Sequence, residues 1–204
     1  MVKNKITNKQ RIFVDMDGVL AIFIPGKSIE ELCQPGYFKD LPPCMGMVKA
    51  IQHLIDSSMF EIYTLSHYLC PQALSDKQTW LDRHLPALQR GHRIFVPYGA
   101  SKCEYIPDGY RRDDVLLDDF SPNLRFWGSH GIAIKVLNGM NWAKKAWNGH
   151  VVSALADEKI IATAIYAIAT AEKAKGICTN QLFHDPENEQ NGNGYSVKHE
   201  ETPL

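Results

Sequence analysis

At residues 13–20 the chain reads Phe13-Val14-Asp15-Met16-Asp17-Gly18-Val19-Leu20. An apolar run leads into two aspartates one residue apart, and a glycine follows them. Aspartate is a poor strand residue, so a pair of them at the end of a core strand requires a reason. Alternate residues of an extended chain point the same way, so Asp15 and Asp17 can face one ligand while Gly18 lets the backbone turn away. An ordinary Asp-Gly turn is the alternative explanation.

Five short apolar runs, including the one before Asp15, predict strands. They are mostly β-branched or aromatic and show little polar alternation, which is typical of a sheet covered on both faces. The predicted strands are 12–14, 62–65, 94–96, 115–117 and 132–136. Segments of helical period lie between them, beginning at Met47 and Ser75 and covering 122–127. This alternation predicts an α/β fold, a three-layer, doubly wound and mostly parallel sheet.

Three regions fall outside this alternation. The connection 21–46 is rich in proline and much longer than an ordinary βα loop, so we expect it to form a cap insertion over an active site. Residues 151–175 carry an apolar stripe, which predicts a terminal helix packed on the body or on a second subunit. The polar residues 176–204 predict a disordered tail. The expected organisation is one domain over 1–175 followed by that tail.

Composition limits the class of protein. The 204 residues include 22 Lys+Arg and 23 Asp+Glu, so the chain lacks the basic excess of a non-specific nucleic-acid binder. The first ten residues contain no apolar segment typical of a signal peptide, and the apolar stretch 160–169 is too short to span a bilayer. We therefore expect a cytosolic protein. The five cysteines include no C-x-x-C pair, which predicts reduced thiols rather than a disulfide framework.

A second pair of aspartates closes another predicted strand. Asp118 and Asp119 follow the strand 115–117, and in a parallel sheet they lie at the same edge as Asp15 and Asp17. Carboxylates gathered at one edge repel one another and are costly to leave unpaired. A set of oxygen ligands favours magnesium, which retains waters and shares its shell with a phosphate. The sequence therefore predicts a Mg²⁺ site.

Two further strand ends offer groups for a phosphate. The strand 62–65 leads into Ser66, and the loop after 94–96 delivers Lys102. A hydroxyl can bind a phosphate oxygen, and an ammonium can neutralise a phosphoryl group during transfer. Each residue alone has a commoner explanation, a strand-end cap for Ser66 and a solvated surface lysine for Lys102.

In this order, the groups Asp-x-Asp-Gly-Val, Ser, Lys and Asp-Asp resemble the motifs of the haloacid dehalogenase superfamily of phosphotransferases. Three stretches resemble its 5'(3')-deoxyribonucleotidase family: 15–21 with Phe23, 36–43, and 116–119. The resemblance covers about residues 12–147. It implies a magnesium-dependent phosphomonoester hydrolase that dephosphorylates (deoxy)nucleoside monophosphates in the cytoplasm.

The resemblance also implies catalytic roles. Asp15 would be the nucleophile that forms an aspartyl-phosphate. Asp17 would protonate the leaving oxygen and then act as base for the hydrolytic water. Ser66 and Lys102 would bind the transferring phosphoryl group.

Metal and substrate contacts follow from the same resemblance. The implied metal ligands are Asp15, Asp17 through its backbone carbonyl, Asp119, and Asp118 as ligand or support. The implied contacts to a nucleobase are Phe23, Tyr37 and Phe38, which can equally be the core of the insertion. The insertion is shorter than in the vertebrate enzymes, and Ile22 stands where the family often has an acidic residue, so phosphatase chemistry is better supported than nucleotide specificity.

Three other functions stay open from the sequence. The chain can be a phosphatase of the same superfamily for a sugar phosphate or another small metabolite. It can be a non-catalytic phosphate- or metal-binding regulatory domain of the receiver type, although receiver domains lack an aspartate at the position of Asp17. It can be an interaction module centred on 151–175, which allows a homodimer. The expected partner is a small phosphomonoester, not a nucleic-acid polymer or a membrane.

Overall fold

The computed structural model describes residues 9–141 and 147–175. Within them a six-stranded sheet has the order β3-β2-β1-β4-β5-β6, and every neighbouring pair is parallel. The strands are β1 Gln10–Val14, β2 Phe60–Tyr68, β3 Arg93–Pro97, β4 Val115–Asp118, β5 Ile132–Leu137 and β6 His150–Ser153. The helices are α1 Ile29–Leu32, α2 Met45–Asp56, α3 Pro71–His84, α4 Ser121–Gly128 and α5 Glu158–Lys175. The predicted doubly wound α/β fold is confirmed.

Strand β1 lies at the centre of the sheet and is covered on both sides. Ile12 and Val14 point into one apolar cluster, which α2, α3 and α5 complete. Phe13 points into the other cluster, where it contacts Trp127 of α4 with ring centroids 5.3 Å apart. Because both faces are buried, the strand reads as a continuous apolar run, as its sequence predicted.

Two of the predicted helix starts were wrong. The helix predicted from Ser75 begins at Pro71, because Cys70 accepts the N–H of Ala73 as an N-cap and proline suits the first helical turn. The helix predicted from residue 151 begins at Glu158 instead, because His150–Ser153 form the edge strand β6. That strand is only four residues long and buries one of them, which is too weak a pattern to detect.

Helix α5 packs on the body of the domain. Ile161, Ile165 and Ala169 enter the apolar cluster beside α2. Gln10 of β1 donates to the carbonyl of Ala169 at 3.1 Å, which joins the helix to the central strand. Among the described residues, no helix combines the length and apolar character required to cross a membrane. The predicted tail 176–204 lies outside the described residues.

The insertion (21–46) leaves the sheet after β1 and returns beside its own start. Ile22 donates to the carbonyl of Pro42 at 2.8 Å, which closes its two ends on each other. Its helix α1 is short and begins with a capping box, in which Ser28 and Glu31 exchange side-chain and backbone hydrogen bonds.

A disulfide joins the insertion to α3. Cys33 ends α1, Cys70 caps α3, and their Cα atoms are 6.2 Å apart, a normal separation for a disulfide. The prediction of reduced thiols is wrong for this pair, because the fold brings together two cysteines 37 residues apart that share no local motif. Cys44 and Cys103 are free thiols.

A buried ion pair ties β1 to the loop before β4. Arg11 donates from Nε to Asp114 Oδ1 at 2.7 Å and from Nη2 to the other carboxylate oxygen at 2.5 Å. The same guanidinium donates to the carbonyls of Pro107 and Gly109 at 2.6 and 2.7 Å. This network sets where β4 starts beside β1, and so aligns the far ends of the two strands.

We predict that Arg11→Met lowers the free energy of unfolding by about 3–5 kcal/mol, because the Asp114 carboxylate stays buried without its partner. Urea denaturation measures the change. The double variant with Asp114→Asn recovers part of the loss, since it removes the orphaned charge. An Arg11→Met variant within about 1 kcal/mol of the parent protein contradicts this account.

Candidate active site

The register of β1 and β4 brings their carboxyl ends together. Val14 pairs with Leu117, so the next residues, Asp15 and Asp118, emerge side by side. The backbone N–H of Asp15 donates to the carbonyl of Leu117 at 2.9 Å. Ligand oxygens of Asp15, Asp118 and Asp119 lie within 4.8 Å of one another. The structure thus gathers three of the four carboxylates that the strand ends predicted.

Lys102 lies between two of these carboxylates. It is buried in the 3₁₀ turn after β3, and its Nζ is 2.9 Å from Asp15 Oδ1 and 2.7 Å from Asp118 Oδ2. Burial disfavours the charge of this ammonium, but Asp118 and Asp15 outweigh burial and raise its pKa. Burial likewise opposes the charge of Asp15, yet Lys102 and then Lys77 lower the pKa of Asp15. Asp15 is therefore held as a carboxylate.

The two aspartates at the carboxyl end of β4, Asp118 within the strand and Asp119 just after it, have different surroundings. Asp118 is fully buried, and besides Lys102 it accepts from the N–H of Phe120 at 2.8 Å and from Asn123 at 2.9 Å. Asp119 is only partly buried, and its Oδ2 accepts from Asn138 at 2.9 Å. Burial, followed by the charges of Asp15 and Asp118, raises the pKa of Asp119 to about 7.

The donor set fits a hard divalent cation. The carboxylates of Asp15, Asp118 and Asp119 supply only oxygen, the ligand type that magnesium prefers. With Asp17 included, four carboxylates face the two ammonium groups of Lys77 and Lys102. The two lysines do not balance the four carboxylates, and the raised pKa of Asp119 reflects burial together with this excess of negative charge. A bound cation would balance it.

Asp17 faces a different cation from Asp15. The Nζ of Lys77 is 2.5 Å from Asp17 Oδ2, 3.0 Å from Ser66 Oγ and 2.7 Å from the carbonyl of His67. Burial and the charge of Asp15 raise the pKa of Asp17, although Lys77 opposes them. The two aspartates of the first motif are thus shifted in opposite directions.

Lys77 is a site residue that the sequence motifs did not predict. The signal was present in the helix period, because Lys77 shares a face of α3 with the buried residues Ala73, Trp80 and Leu81. A lysine on a buried helix face requires a partner inside the protein. Asn138 was missed as well, since an asparagine after a strand is common in turns.

Ser66 lies at the site, but it stands inside β2, which runs on to Tyr68, and not after the strand end predicted at residue 65. It is fully buried, receives a hydrogen bond from Lys77, and its side chain also hydrogen-bonds to Asp15. The neighbouring His67 points elsewhere, with its ring Nε2 3.0 Å from the carbonyl of Ala100.

The three aromatic candidates form one cluster in the insertion. The ring of Phe38 is stacked parallel to Phe23 with centroids 6.3 Å apart, and it meets the edge of Tyr37 at 5.0 Å. Phe38 is only 3% exposed, whereas Phe23 and Tyr37 are half-buried. The Nζ of Lys77 lies 4.7 Å from the centroid of the Phe38 ring. Phe38 therefore packs as core, and the other two rings keep some open surface.

Gly18 is required by the close approach of Asp119. Its φ is +77°, and a Cβ at this position would lie 2.3 Å from Asp119 Oδ2 and 3.0 Å from Asn138 Nδ2. The Nδ2 of Asn138 also donates to the carbonyl of Gly18 at 2.8 Å. The glycine of the first motif thus sets the position of an aspartate that follows β4.

We predict that Gly18→Ala displaces Asp119 and removes the stabilisation that Mg²⁺ gives the protein. Gly109→Ala is the matched control, because Gly109 has a φ of +74° and open space around it. Both variants lose about 1–2 kcal/mol through backbone strain. Thermal unfolding with and without MgCl₂ should show a magnesium-dependent rise in Tm for the parent and Gly109→Ala only. An equal rise in Gly18→Ala contradicts the assignment of Asp119 to the metal site.

Fold and site define a Rossmann-like α/β protein that collects carboxylates, lysines and a serine at the carboxyl ends of parallel strands. The family model described as "5' nucleotidase, deoxy (Pyrimidine), cytosolic type C protein" matches residues 26–150. The match covers more than half of the chain, and the chain belongs to this haloacid-dehalogenase-like family of nucleotidases. The predicted resemblance is confirmed. A comparison with curated proteins found no match.

The matched range begins after the first motif, the Asp-x-Asp-Gly-Val stretch at residues 15–19. Asp15 and Asp17 lie outside it, while Ser66, Lys102 and Asp119 lie inside it. The family match therefore does not bear on the catalytic roles that the resemblance implies for Asp15 and Asp17.

Proposed function

We propose that the protein is a magnesium-dependent phosphomonoester hydrolase that acts on (deoxy)nucleoside monophosphates through an aspartyl-phosphate intermediate. One observation carries the proposal: Asp15 and Asp17 are bound by different lysines, and their pKa values are shifted in opposite directions. Two carboxyls whose surroundings separate their pKa values can serve as nucleophile and general acid.

Asp15 is the nucleophile in this mechanism. Its carboxylate oxygen attacks phosphorus, the bond to the leaving oxygen breaks, and an aspartyl-phosphate forms. Lys102 supports this step because it holds Asp15 ionised and in place. As the leaving group departs, Lys102 and Ser66 bind the phosphoryl oxygens, which carry most of the developing charge.

Asp17 moves the proton in both halves of the reaction. Its raised pKa favours the protonated form, which donates its proton to the leaving oxygen in the first step. The resulting carboxylate then takes a proton from the water that attacks the aspartyl-phosphate. Phosphate leaves, and Asp15 and Asp17 return to their starting forms.

Magnesium would be held by Asp15, the backbone carbonyl of Asp17 and Asp119. Asp118 is the orienting residue, because its two oxygens already accept from Lys102, the N–H of Phe120 and Asn123. When bound, the cation supplies positive charge beside the phosphoryl oxygens. Asn138 keeps Asp119 turned toward Gly18 and the first motif.

The substrate class rests on the family and on the insertion. The family description names a deoxy (pyrimidine) 5' nucleotidase, and the half-buried rings of Phe23 and Tyr37 offer surface for a nucleobase. The burial of Phe38 favours the second candidate, a phosphatase for a sugar phosphate or another small metabolite, because it removes one ring from substrate contact. Asp17 disfavours the receiver-type alternative, because receiver domains lack an aspartate at this position.

The family description also supports a cytosolic location. The Cys33–Cys70 disulfide instead favours an oxidising compartment. Alkylation of free thiols in intact cells distinguishes the two locations. In the cytosol Cys33 and Cys70 would stay reduced and would react with the reagent, whereas in an oxidising compartment the disulfide would protect them.

We predict that the purified protein with Mg²⁺ hydrolyses dUMP and dTMP faster than glucose 6-phosphate, and that EDTA abolishes turnover. Asp15→Asn should lower kcat by at least about 10³-fold, because no nucleophile remains. Asp56→Asn is the control, since Asp56 is an exposed aspartate at the end of α2. Release of inorganic phosphate measures all of these rates.

Two results contradict the proposal. One is an absence of turnover on every phosphoester tested, with Asp15→Asn indistinguishable from the parent. The other is full turnover in Asp17→Asn, which would remove the general acid from the mechanism. Faster hydrolysis of glucose 6-phosphate than of either nucleotide selects the second candidate.

A further inference from the structure

The structure assigns Lys77 as a positioning residue that fixes the carboxyl of Asp17 for proton transfer to the leaving oxygen, and that is itself held by the insertion. This inference rests on the proposed function, because it concerns how the general acid is aligned. Lys77 belongs to α3, an element that supplies no other site residue among those predicted from the sequence.

All three donor positions of the Lys77 ammonium are occupied. Its Nζ donates to Asp17 Oδ2 at 2.5 Å, to Ser66 Oγ at 3.0 Å and to the carbonyl of His67 at 2.7 Å. An ammonium has three N–H groups, so none remains for a phosphate oxygen. Lys77 therefore differs from Lys102, whose Nζ contacts the nucleophile Asp15.

The two oxygens of Asp17 are unequal as a result. Lys77 holds Oδ2, whereas Oδ1 is buried and has no hydrogen-bond partner in the described part of the chain. A buried carboxyl oxygen without a partner is costly unless a ligand completes it. The geometry thus anchors Oδ2 and leaves Oδ1 without a protein partner among the described residues, so Oδ1 is the oxygen available to carry the proton.

The insertion supports Lys77 from the other side. The Lys77 side chain is 1% exposed, and its Nζ lies 4.7 Å from the ring centroid of Phe38, a cation–π contact. The adjacent Asp76 accepts the N–H of Gly36 at 2.8 Å, so the insertion is fixed to the same turn of α3. Movement of the insertion would therefore be transmitted to Asp17 through Lys77.

Leaving-group dependence separates positioning of an acid from phosphate binding. A nucleoside alkoxide requires a proton as it departs, whereas p-nitrophenolate does not. The two substrates compared are dUMP and p-nitrophenyl phosphate. We predict that Lys77→Met slows the first step on dUMP by about 100-fold, and that it slows the burst of p-nitrophenol released from p-nitrophenyl phosphate by less than about 5-fold. KM for dUMP should change little. Single-turnover release of nucleoside and the burst phase measure the first step for the two substrates.

Three variants act as controls. Lys102→Met should slow both substrates by a similar factor, because it removes a contact to the phosphoryl group and the nucleophile. Gln78→Met, an exposed position on α3, should leave both rates unchanged. Adding Asp17→Asn to Lys77→Met should slow dUMP no further than Asp17→Asn alone, since both changes remove the same proton transfer.

Phe38→Leu tests the same inference without removing the buried lysine, and it serves if Lys77→Met does not fold. It should show a smaller loss with the same preference against dUMP. Equal losses on both substrates in the lysine variant, or in Phe38→Leu where the lysine variant does not fold, overturn the positioning role and leave the proposed function intact. A parent protein that hydrolyses neither substrate overturns both.

Discussion

Repulsion between four carboxylates at one edge of the sheet is the constraint on which the rest of the site depends. Asp15, Asp17, Asp118 and Asp119 cannot be buried together unless cations and hydrogen-bond donors separate them. The chain supplies these from different elements: Lys102 after β3, Lys77 from α3 and Asn138 after β5. The two lysines leave a net negative charge, which a divalent cation would balance. The doubly wound topology makes this possible, because it brings the carboxyl ends of these strands to one edge.

The same constraint gives neighbouring residues different chemistry. Asp15 and Asp17 are one residue apart, yet one contacts Lys102 and the other Lys77. Lys102 favours the carboxylate at Asp15, while burial and the nearby charge of Asp15 favour the protonated form at Asp17. Phosphoryl transfer through an aspartyl-phosphate intermediate requires one ionised carboxylate as the nucleophile and one protonated carboxyl as the acid. The insertion contributes because Phe38 packs against Lys77.

Local sequence patterns predicted the parts of the structure that depend on local interactions. Apolar runs located five strands, and the segments that follow them included Asp15, Ser66, Lys102 and Asp119. The missed features depend on the tertiary fold: Lys77 is a site residue only because α3 packs beside β2, and Cys33 meets Cys70 only because the insertion folds back on α3. Strand β6 was missed because a short edge strand has almost no periodicity. The burial of Phe38 likewise depends on how the insertion folds. The aromatic composition of the insertion could not show which of its rings is buried and which keep some open surface.

Identification of the phosphorylated residue tests the account most directly. The protein is mixed with dUMP and Mg²⁺, quenched in acid during the first turnover and reduced with borohydride, which converts an aspartyl-phosphate to homoserine. Peptide mass spectrometry then locates the homoserine. We expect it at position 15 alone, because Asp15 is the carboxylate that Lys102 holds ionised. Homoserine at position 17, 118 or 119, or phosphate release from dUMP with no homoserine formed, would contradict the account.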